Sequence, residues 1–459
     1  MTSNGNFDGE SPTLWLQSVG FHRNPFSLPF AENQPTDMFQ QTYFVADELE
    51  QLMLHEEKSV AFLAPYGGGK TAARRYTQFR WEEQYPHAFI TVYENFTAVV
   101  EQLPDVTLST HRESLLAATA ESFWTYISHS PKKLLALSET WQLWWWALLH
   151  HYLPGTVLDF RVRDVPELID SYSKYGQMGD EKRPFRPDEQ LSSILKAIHD
   201  QLKNLGFARW LILVDEIDGE MYHHVDALAM ILRPLINTLA LFRMSLIWKF
   251  FLPHELREIV GQSLPRLRGQ LEIADIVWSK KDLAQLLENR LLWASDGSHE
   301  SLVSFSTELP NLNENLVELA YQHQETFGAP RSLLRLGEDL VSRLESGSLI
   351  TQEDWEEFMK SLPTYMLMEE AEKRALQNVS REELLEVLNS KFDLGELREL
   401  AFRLAIEFEN LKGENTRRSK ALGLIEYCES RQRIPHLVKA VCAKRPQATI
   451  CRELFSTAS

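Results

Sequence analysis

Cysteine is scarce in this chain, which has three among 459 residues. Cys428, Cys442 and Cys451 lie close to the C-terminus, and their spacing matches no zinc-binding pattern. Such an odd and sparse set argues against a disulfide-stabilised scaffold and indicates structural thiols in a reducing compartment. We therefore expect a cytoplasmic protein.

Long apolar runs free of charge are also lacking. The tryptophan-rich stretch 141–149 is too short to cross a bilayer, and the longer stretch 228–253 carries three basic residues in its interior. We interpret both as protein core, with a partner surface as the alternative for the tryptophans. Residues 1–20 lack a basic region followed by an apolar core, so the sequence predicts neither a signal peptide nor a membrane segment.

Basic residues are in the minority, since 47 Lys and Arg face 65 Asp and Glu and give a net charge of −18. This balance argues against a broad nucleic-acid surface, although a local basic patch is compatible with it. The 44% of hydrophobic residues is ordinary for a soluble globular protein. The length predicts two to four domains.

A glycine-rich stretch stands between the apolar run 59–63 and a helical pattern. It reads Ala64, Pro65, Tyr66, Gly67, Gly68, Gly69, Lys70, Thr71 and Ala72. Strand, glycine loop, Lys-Thr and helix is the order of a phosphate-binding loop, in which backbone N–H groups and a helix N-terminus face the anion. We predict that these nine residues bind ATP, with Lys70 at the β- and γ-phosphates and the Thr71 hydroxyl on Mg²⁺.

One position of this loop departs from the usual pattern, which has glycine where this chain has Ala64. Alanine is compatible with that place if its φ stays negative. The alternative is a glycine-rich turn that precedes Lys-Thr by chance.

A second apolar run, 210–214, ends directly in Asp215 and Glu216. A carboxylate at the end of a buried strand costs free energy unless it faces a cation or water. We predict that Asp215 binds Mg²⁺ and that Glu216 polarises the attacking water of an ATPase. A strand that runs into a solvated acidic turn is the alternative.

Buried apolar strands alternate with helices around these two motifs. This alternation predicts an α/β fold of the P-loop NTPase class, with a parallel sheet flanked by helices. A helical, apolar insertion is expected at about 110–153, between the two motifs.

The chain resembles AAA+ ATPases of the origin-recognition clade and their bacterial secretion-type relatives. The resemblance covers about residues 20–365 and rests on Ala64–Thr71, Asp215-Glu216, the strand near Lys249, Arg266 and Gly328-Ala329-Pro330-Arg331. It implies a nucleotide-binding α/β domain over 20–275 and a helical lid over 276–362. The polar composition at the start of the chain predicts a disordered segment at 1–19.

The resemblance also implies roles for two arginines. Arg331 corresponds to the lid arginine that contacts the γ-phosphate, and Arg266 or Arg268 to an arginine finger that reaches a neighbouring subunit's nucleotide. A homo-oligomer is expected for that reason. The polar residue usual at the end of the fourth strand is missing, since Lys249 is the one polar candidate there, which argues against fast hydrolysis.

The C-terminal part forms a separate unit by pattern. A linker is expected at 363–379, followed by a capping box at residues 380–383 and by apolar residues at three-to-four spacing up to 446. This pattern predicts a small all-α bundle of five or six short helices, with a tail at 447–459. Its charges nearly cancel, because residues 380–446 hold 13 Lys and Arg and 11 Asp and Glu.

Residues 380–446 resemble the effector-associated, death-like domains of bacterial immune and signalling proteins. The resemblance rests on stretches 396–404, 411–413, 421–427 and 444–446. It implies an adaptor without catalytic activity of its own, which pairs with a similar domain on a separate effector protein.

Three functions fit these features. The first is a signalling ATPase of bacterial conflict defence, in which nucleotide state or oligomerisation controls effector recruitment. The second is an ATP-dependent DNA-binding loader or transposition helper, which the acidic charge disfavours. The third is a pseudo-ATPase scaffold that binds nucleotide without turnover.

Overall fold

A computed structural model gives the fold. It describes residues 14–28, 31, 34–153, 155–176, 190–217, 225–243, 246–267, 269–322, 328–343, 349–360, 380–403, 408, 411, 416–430, 434, 437–438, 441 and 444–445. Most of the expected disordered segment 1–19, the whole linker 363–379 and the whole tail 447–459 lie outside these ranges. The chain divides into two compact units, Met1–Ile350 and Thr351–Ser459.

The first unit contains one sheet. Its strands are β1 (Ser59–Ala64), β2 (Ala88–Tyr93), β3 (Arg209–Val214), β4 (Leu246–Pro253) and β5 (Leu271–Asp275). They are all parallel, in the order β2-β3-β4-β1-β5. β1 and β4 are buried along their whole length, as expected for central strands of a sheet that is covered on both faces. The predicted parallel sheet flanked by helices is confirmed.

Helices occupy the connections of the sheet. Those up to the last strand are α1 (Leu14–Ser18), α2 (Thr36–Thr42), α3 (Asp47–Leu54), α4 (Lys70–Gln84), α5 (Thr97–Val100), α6 (Leu108–His129), α7 (Pro131–Leu135), α8 (Glu139–Tyr152), α9 (Gly155–Arg163), α10 (Ile169–Ser171), α11 (Leu191–Asn204), α12 (Val225–Ile236), α13 (Leu239–Arg243) and α14 (Arg257–Leu267). After the sheet come α15 (Lys280–Ala294), α16 (Leu312–Gln322) and α17 (Ala329–Arg343). Shorter turns are the 3₁₀ helices Pro166–Leu168, His254–Leu256 and Leu302–Phe305 and the π-helix Tyr172–Gly176.

The tryptophan-rich stretch lies on α8 and belongs to the core. Trp144, Trp145 and Trp146 are buried in the apolar cluster that α6, α8, α11 and α12 form on the sheet. The ring of Trp145 stacks on Phe123 with centroids 3.6 Å apart, and Trp146 Nε1 donates a hydrogen bond of 2.8 Å to Ser171 Oγ. The interpretation of these tryptophans as core is therefore confirmed.

The helix that follows the glycine loop lies across the sheet, since α4 contacts β1, β2, β3 and β4. Trp81 of this helix is fully buried, and its Nε1 donates a hydrogen bond of 2.9 Å to the carbonyl of Met53 at the end of α3. α4 is thereby fixed along its length, so its N-terminus has a defined position at the edge of the sheet.

The segment before the sheet packs on helices that follow it. Arg290 of α15 is buried, and its guanidinium donates to the carbonyls of Pro25 (3.3 Å) and Ser27 (2.9 Å). Burial lowers the pKa of Arg290 to about 9. Phe26 lies against Gly337 of α17 so closely that a Cβ there would be 2.1 Å from the ring. These contacts attach the helices after the sheet to the first part of the chain.

The second unit is helical in its described part. Its helices are α18 (352–360), α19 (Arg381–Lys391), α20 (Leu394–Arg403) and α21 (Arg417–Ser430). The capping box is present, because Ser380 Oγ accepts a hydrogen bond from Glu383 N (3.1 Å) and Glu383 Oε2 accepts one from Ser380 N (3.3 Å). Cys428 is a buried thiol, not in a disulfide, in a small apolar cluster with Leu388 and Leu424. Cys442 and Cys451 lie outside the described residues.

Among the described residues, no helix combines the length and the apolar character that a membrane span requires.

A buried histidine joins the sheet to two helices. The Nε2–H of His111 on α6 donates to the carbonyl of Ile231 on α12 (2.8 Å), so its Nδ1 accepts a hydrogen bond from the hydroxyl of Tyr93 (2.7 Å). Burial holds the imidazole neutral and lowers the pKa of His111 to about 4.

We expect this histidine to make folding sensitive to mild acid. Because its folded-state pKa lies below the ordinary value of 6.5, the unfolded chain takes up the proton first, and stability falls from about pH 6.5 towards pH 4. Between pH 7.5 and 5.5 the wild type should lose about 1.4 kcal/mol more unfolding free energy than His111→Gln. Urea denaturation at both pH values measures this difference. The exposed His129→Gln is the control and should retain the wild-type pH dependence; equal dependence in His111→Gln would contradict the assignment.

Candidate functional site

The carboxyl ends of the strands meet at one edge of the sheet. Ala64 at the end of β1 pairs with Pro253, and Val214 at the end of β3 pairs with Phe250. One strand, β4, lies between β1 and β3, and neighbouring strands are roughly 4.8 Å apart, so β1 and β3 are separated by about 10 Å across the sheet. That gap accommodates a phosphate group and a metal ion, whose bonds to oxygen are about 2 Å long.

The glycine loop turns the chain from β1 into α4. Gly69 caps the helix with a φ of 93°, a left-handed conformation that favours glycine. The first helical hydrogen bond runs from Ala73 N to Gly69 O (2.8 Å), and the amides just before it are those that a helix N-terminus presents to an anion. Ala64 keeps the extended backbone of β1, so the departure from glycine there has no conformational cost. Lys70, the first residue of α4, is buried.

Two residues from later in the chain contact the loop backbone. Gly328, just before α17, lies so close that a Cβ would be 2.2 Å from Gly67 C and 2.3 Å from Gly68 N. Trp278, just after β5, donates a hydrogen bond of 3.0 Å from Nε1 to the carbonyl of Gly68. The segment before α15 and the segment after α16 therefore both fix the conformation of the loop.

The predicted lid arginine lies beside the same loop. The guanidinium of Arg331, in the first turn of α17, stands over the ring of Tyr66 at 4.5 Å from the centroid. A cation in this position is attracted to the electron-rich face of the ring. The structure thus brings Arg331 to the glycine loop.

The two acids that follow β3 differ in environment. Asp215 is buried, with 1% of its side chain exposed, and its backbone N–H donates to the carbonyl of Tyr93 (3.2 Å). Glu216 is exposed and has a φ of 59°, which is unusual for a residue with a side chain. Such strained residues concentrate at binding and catalytic sites. One acid is therefore fixed in the protein, while the other faces solvent beside it.

An arginine that the sequence motifs did not single out reaches these acids. Arg74 lies one turn into α4, with its Nε 3.6 Å from Asp215 Oδ2 and its Nη2 3.2 Å from Glu94 Oε2. Glu94 directly follows β2, so this side chain joins the ends of two strands to the helix of the glycine loop. Only one sequence signal could have indicated Arg74, namely its position four residues after Lys70, because residues at that spacing share a helix face.

The oxygen donors at this edge fit Mg²⁺. Thr71 lies three residues before Arg74, so its hydroxyl is on the face of α4 that is turned towards Asp215. A hydroxyl and a single carboxylate suit an ion that retains water and phosphate oxygens in its remaining positions. Within the described ranges, no group of three or more His, Cys, Asp and Glu side chains is arranged to hold a metal, so the protein offers no complete cage there.

A cleft of about 370 Å³ lies beside the loop. It is lined by Tyr43 and Val45 before α3, by Ile276 after β5 and by the same Trp278 that binds the loop carbonyl. The acids Glu48, Asp275 and Asp282 line it as well, so the cleft offers a flat group both apolar surface and hydrogen-bond acceptors.

The predicted arginine finger lies elsewhere. Arg266 is exposed in the last turn of α14, which runs back from the end of β4 to the start of β5 and therefore ends at the opposite edge of the sheet. It lines a cleft of about 280 Å³ together with Arg233, Asn237 and Gln262. The structure does not bring it to the glycine loop of its own chain. Arg268, the other candidate, lies outside the described residues.

Lys249 is not the polar residue at the end of the fourth strand. It lies in the first half of β4, and its ammonium donates to the carbonyls of Leu52 (2.6 Å), Lys58 (3.0 Å) and His55 (3.3 Å). Burial lowers its pKa to about 7. Lys249 therefore ties the end of α3 to the sheet, and the first polar side chain after β4 is the exposed His254.

Residues 384–446 match the family Effector-associated domain 7. This match supports the resemblance found for the C-terminal bundle and suggests a role in effector-associated signalling. No curated protein matches the chain. The parallel sheet of the first unit fits a P-loop fold.

We expect Gly328→Ala to disturb the glycine loop. The added Cβ would overlap the loop backbone, which cannot move aside as a flexible side chain does, so we expect a stability loss of about 1–3 kcal/mol and at least a tenfold loss of phosphate-ligand affinity. Gly297→Ala is the matched control, because Gly297 also has a positive φ (85°) but faces open space. Thermal unfolding and calorimetric titration with ATP compare the two; equal effects would mean that backbone strain, and not the contact, matters.

Proposed function

We propose that this protein is an ATP-binding signalling ATPase, which couples its nucleotide state to recruitment of an effector through the C-terminal domain. The observation that supports this most is the gathering of Lys70, Thr71, Asp215, Glu216 and Arg331 around one edge of a parallel sheet. The same chain carries an effector-associated domain. An ordinary solvated turn would not concentrate a buried Lys, a buried Asp and an Arg at one loop.

Each of these site residues has a role in the proposed function. The loop amides and Lys70 bind the β- and γ-phosphates, and Arg331 leaves Tyr66 for the γ-phosphate, since a guanidinium can bind two oxygens at once. Glu216 orients the attacking water and accepts its proton. The cleft beside Trp278 has the size and walls to accept the base of the nucleotide.

Mg²⁺ would be held by Thr71 and Asp215 and would neutralise phosphate charge during hydrolysis. Hydrolysis in this protein is proposed to be slow or regulatory, since His254 and not a buried polar side chain follows β4.

The C-terminal domain gives the signalling part of the proposal. When several copies of the chain assemble, their adaptor domains raise the local concentration of binding sites for the partner. The exposed Arg417 and Arg418 at the start of α21, together with the nearly balanced charges of the domain, suit a partner that carries a complementary face. The partner proposed is an effector protein with a similar domain, in a bacterial defence setting.

We expect ATP to drive assembly of the full-length protein. Light scattering should give a larger mass in ATP than in ADP. The Lys70→Ala variant should bind ATP at least tenfold more weakly and should keep the smaller mass in both nucleotides. Lys58→Ala is the control, because this surface lysine pairs with Glu272 away from the loop. A wild type that neither binds ATP nor changes mass would refute the proposed function, and the chain would then be an adaptor scaffold.

We expect Arg266 to act on the nucleotide of a second copy, because it lies at the edge opposite to its own glycine loop. Arg266→Ala and Glu216→Gln should each reduce turnover by about 100-fold or more when pure. Mixing the two variants should restore part of the turnover, since a mixed interface combines an intact Glu216 with an intact Arg266. A Gln262→Ala variant, altered in the same cleft, should stay active. Failure of the mixture to recover turnover would exclude action between copies.

A further inference from the structure

The guanidinium of Arg74 lies where a divalent cation would be expected. Its side chain is 11% exposed, and it lies between the buried carboxylate of Asp215 and the half-exposed carboxylate of Glu94. Gln78, one turn further along α4, accepts a hydrogen bond of 3.1 Å from Arg74 Nη1. The three acceptors come from the ends of β3 and β2 and from α4 itself.

The two carboxylates hold this arginine unequally. The 3.2 Å between Arg74 Nη2 and Glu94 Oε2 is a hydrogen-bonded ion pair, whereas the 3.6 Å between Arg74 Nε and Asp215 Oδ2 is longer than a hydrogen bond. The contact with Asp215 is therefore mainly electrostatic. The guanidinium can leave Asp215 and retain both Glu94 and Gln78.

A buried carboxylate needs a positive charge near it, and two positive charges at one carboxylate repel each other. Arg74 supplies a positive charge beside Asp215 when no metal is bound. Any divalent cation that binds Asp215 has to displace the guanidinium or share the carboxylate with it. Metal affinity should therefore depend on a residue that is not itself a metal ligand.

We propose that Arg74 is an exchangeable counter-ion of Asp215, which stabilises the metal-free site and moves towards Glu94 when a divalent cation binds. The divalent cation at Asp215 rests on the proposed function; the counter-ion role concerns the nucleotide-free protein as well. Arg74 is a positioning residue in this scheme, and it sets the concentration of cation at which the site becomes loaded.

The first experiment measures thermal unfolding without nucleotide, in EDTA and in 10 mM Mg²⁺. Arg74→Gln should lose about 5 °C or more in EDTA, because the buried Asp215 then lacks the charge of the guanidinium, and should regain at least half of the loss in Mg²⁺. The wild type should differ little between the two buffers. Arg80→Gln is the matched control, since Arg80 is on the same helix and pairs with Glu50 and Glu83 away from the sheet edge, so Mg²⁺ should not restore its stability.

The second experiment measures Mn²⁺ binding to the nucleotide-free protein by electron paramagnetic resonance. Arg74→Gln should bind Mn²⁺ at least tenfold more tightly than the wild type, and Arg74→Lys should stay close to the wild type because it keeps the charge. Glu94→Gln should bind Mn²⁺ more weakly, since the guanidinium then has no second carboxylate to accept it. This variant keeps Arg74 and tests the proposal even if Arg74→Gln does not fold.

The outcomes separate this proposal from the proposed function. Equal stability of Arg74→Gln in EDTA and Mg²⁺, or an unchanged Mn²⁺ affinity in both Arg74→Gln and Glu94→Gln, would overturn the counter-ion role, whatever the result of ATP titration. If Mg²⁺ restores Arg74→Gln but the wild type binds no ATP, the counter-ion role stands and the ATPase proposal fails.

Discussion

The charge of Asp215 is the constraint around which the candidate site is built. Its side chain lies almost fully inside the protein, at the end of a strand whose last five residues are also buried. A carboxylate in that position costs several kcal/mol unless a cation compensates it. The chain meets this need with Arg74 from α4, so the helix that begins at the glycine loop also stabilises the acid that follows β3. Loop, helix and acid are thereby coupled in one electrostatic unit.

A second constraint is steric and acts on the glycine loop. Gly328 touches the backbone of Gly67 and Gly68, Trp278 binds the carbonyl of Gly68, and Arg331 stands over Tyr66. All three come from segments that follow the sheet. A ligand that moved the loop would therefore move α17 with it, and a displacement of α17 would change the loop. Because α17 also packs against Phe26, the segment before the sheet belongs to the same coupled set.

The sequence predicted the parts of this site that depend on local order. Strand, glycines and Lys-Thr stand next to one another in the chain, and a run of apolar residues that ends in Asp215 is visible without a structure. The parallel sheet followed from alternation of helices and buried strands. By contrast, Trp278 and Arg74 act through contacts that depend on how β5 and α4 pack. The spacing of Arg74 from Lys70 indicates its helix face, but no local pattern predicts which groups either side chain contacts. Lys249 is a further example. Its position in a strand could be predicted from the sequence, but its contacts could not, because the three carbonyls that bind its ammonium come from a segment about 190 residues earlier.

The two units differ in where their charges lie, and therefore in the kind of function that can be inferred for each. In the C-terminal unit a capping box and apolar spacing fix the helices. Several of its charges stabilise the fold, since Arg445 binds Glu396 (2.6 Å) and Lys420 binds the carbonyl of Leu411 (2.9 Å). The proposed adaptor role depends on the charges that remain on its surface. In the first unit Lys70 and Asp215 are buried at one edge of the sheet, where the proposed nucleotide site lies. A chain that joins a buried charge cluster to an effector-associated domain has the parts of the proposed switch, in which the exchange of Arg74 between two carboxylates is the first step that follows ligand binding.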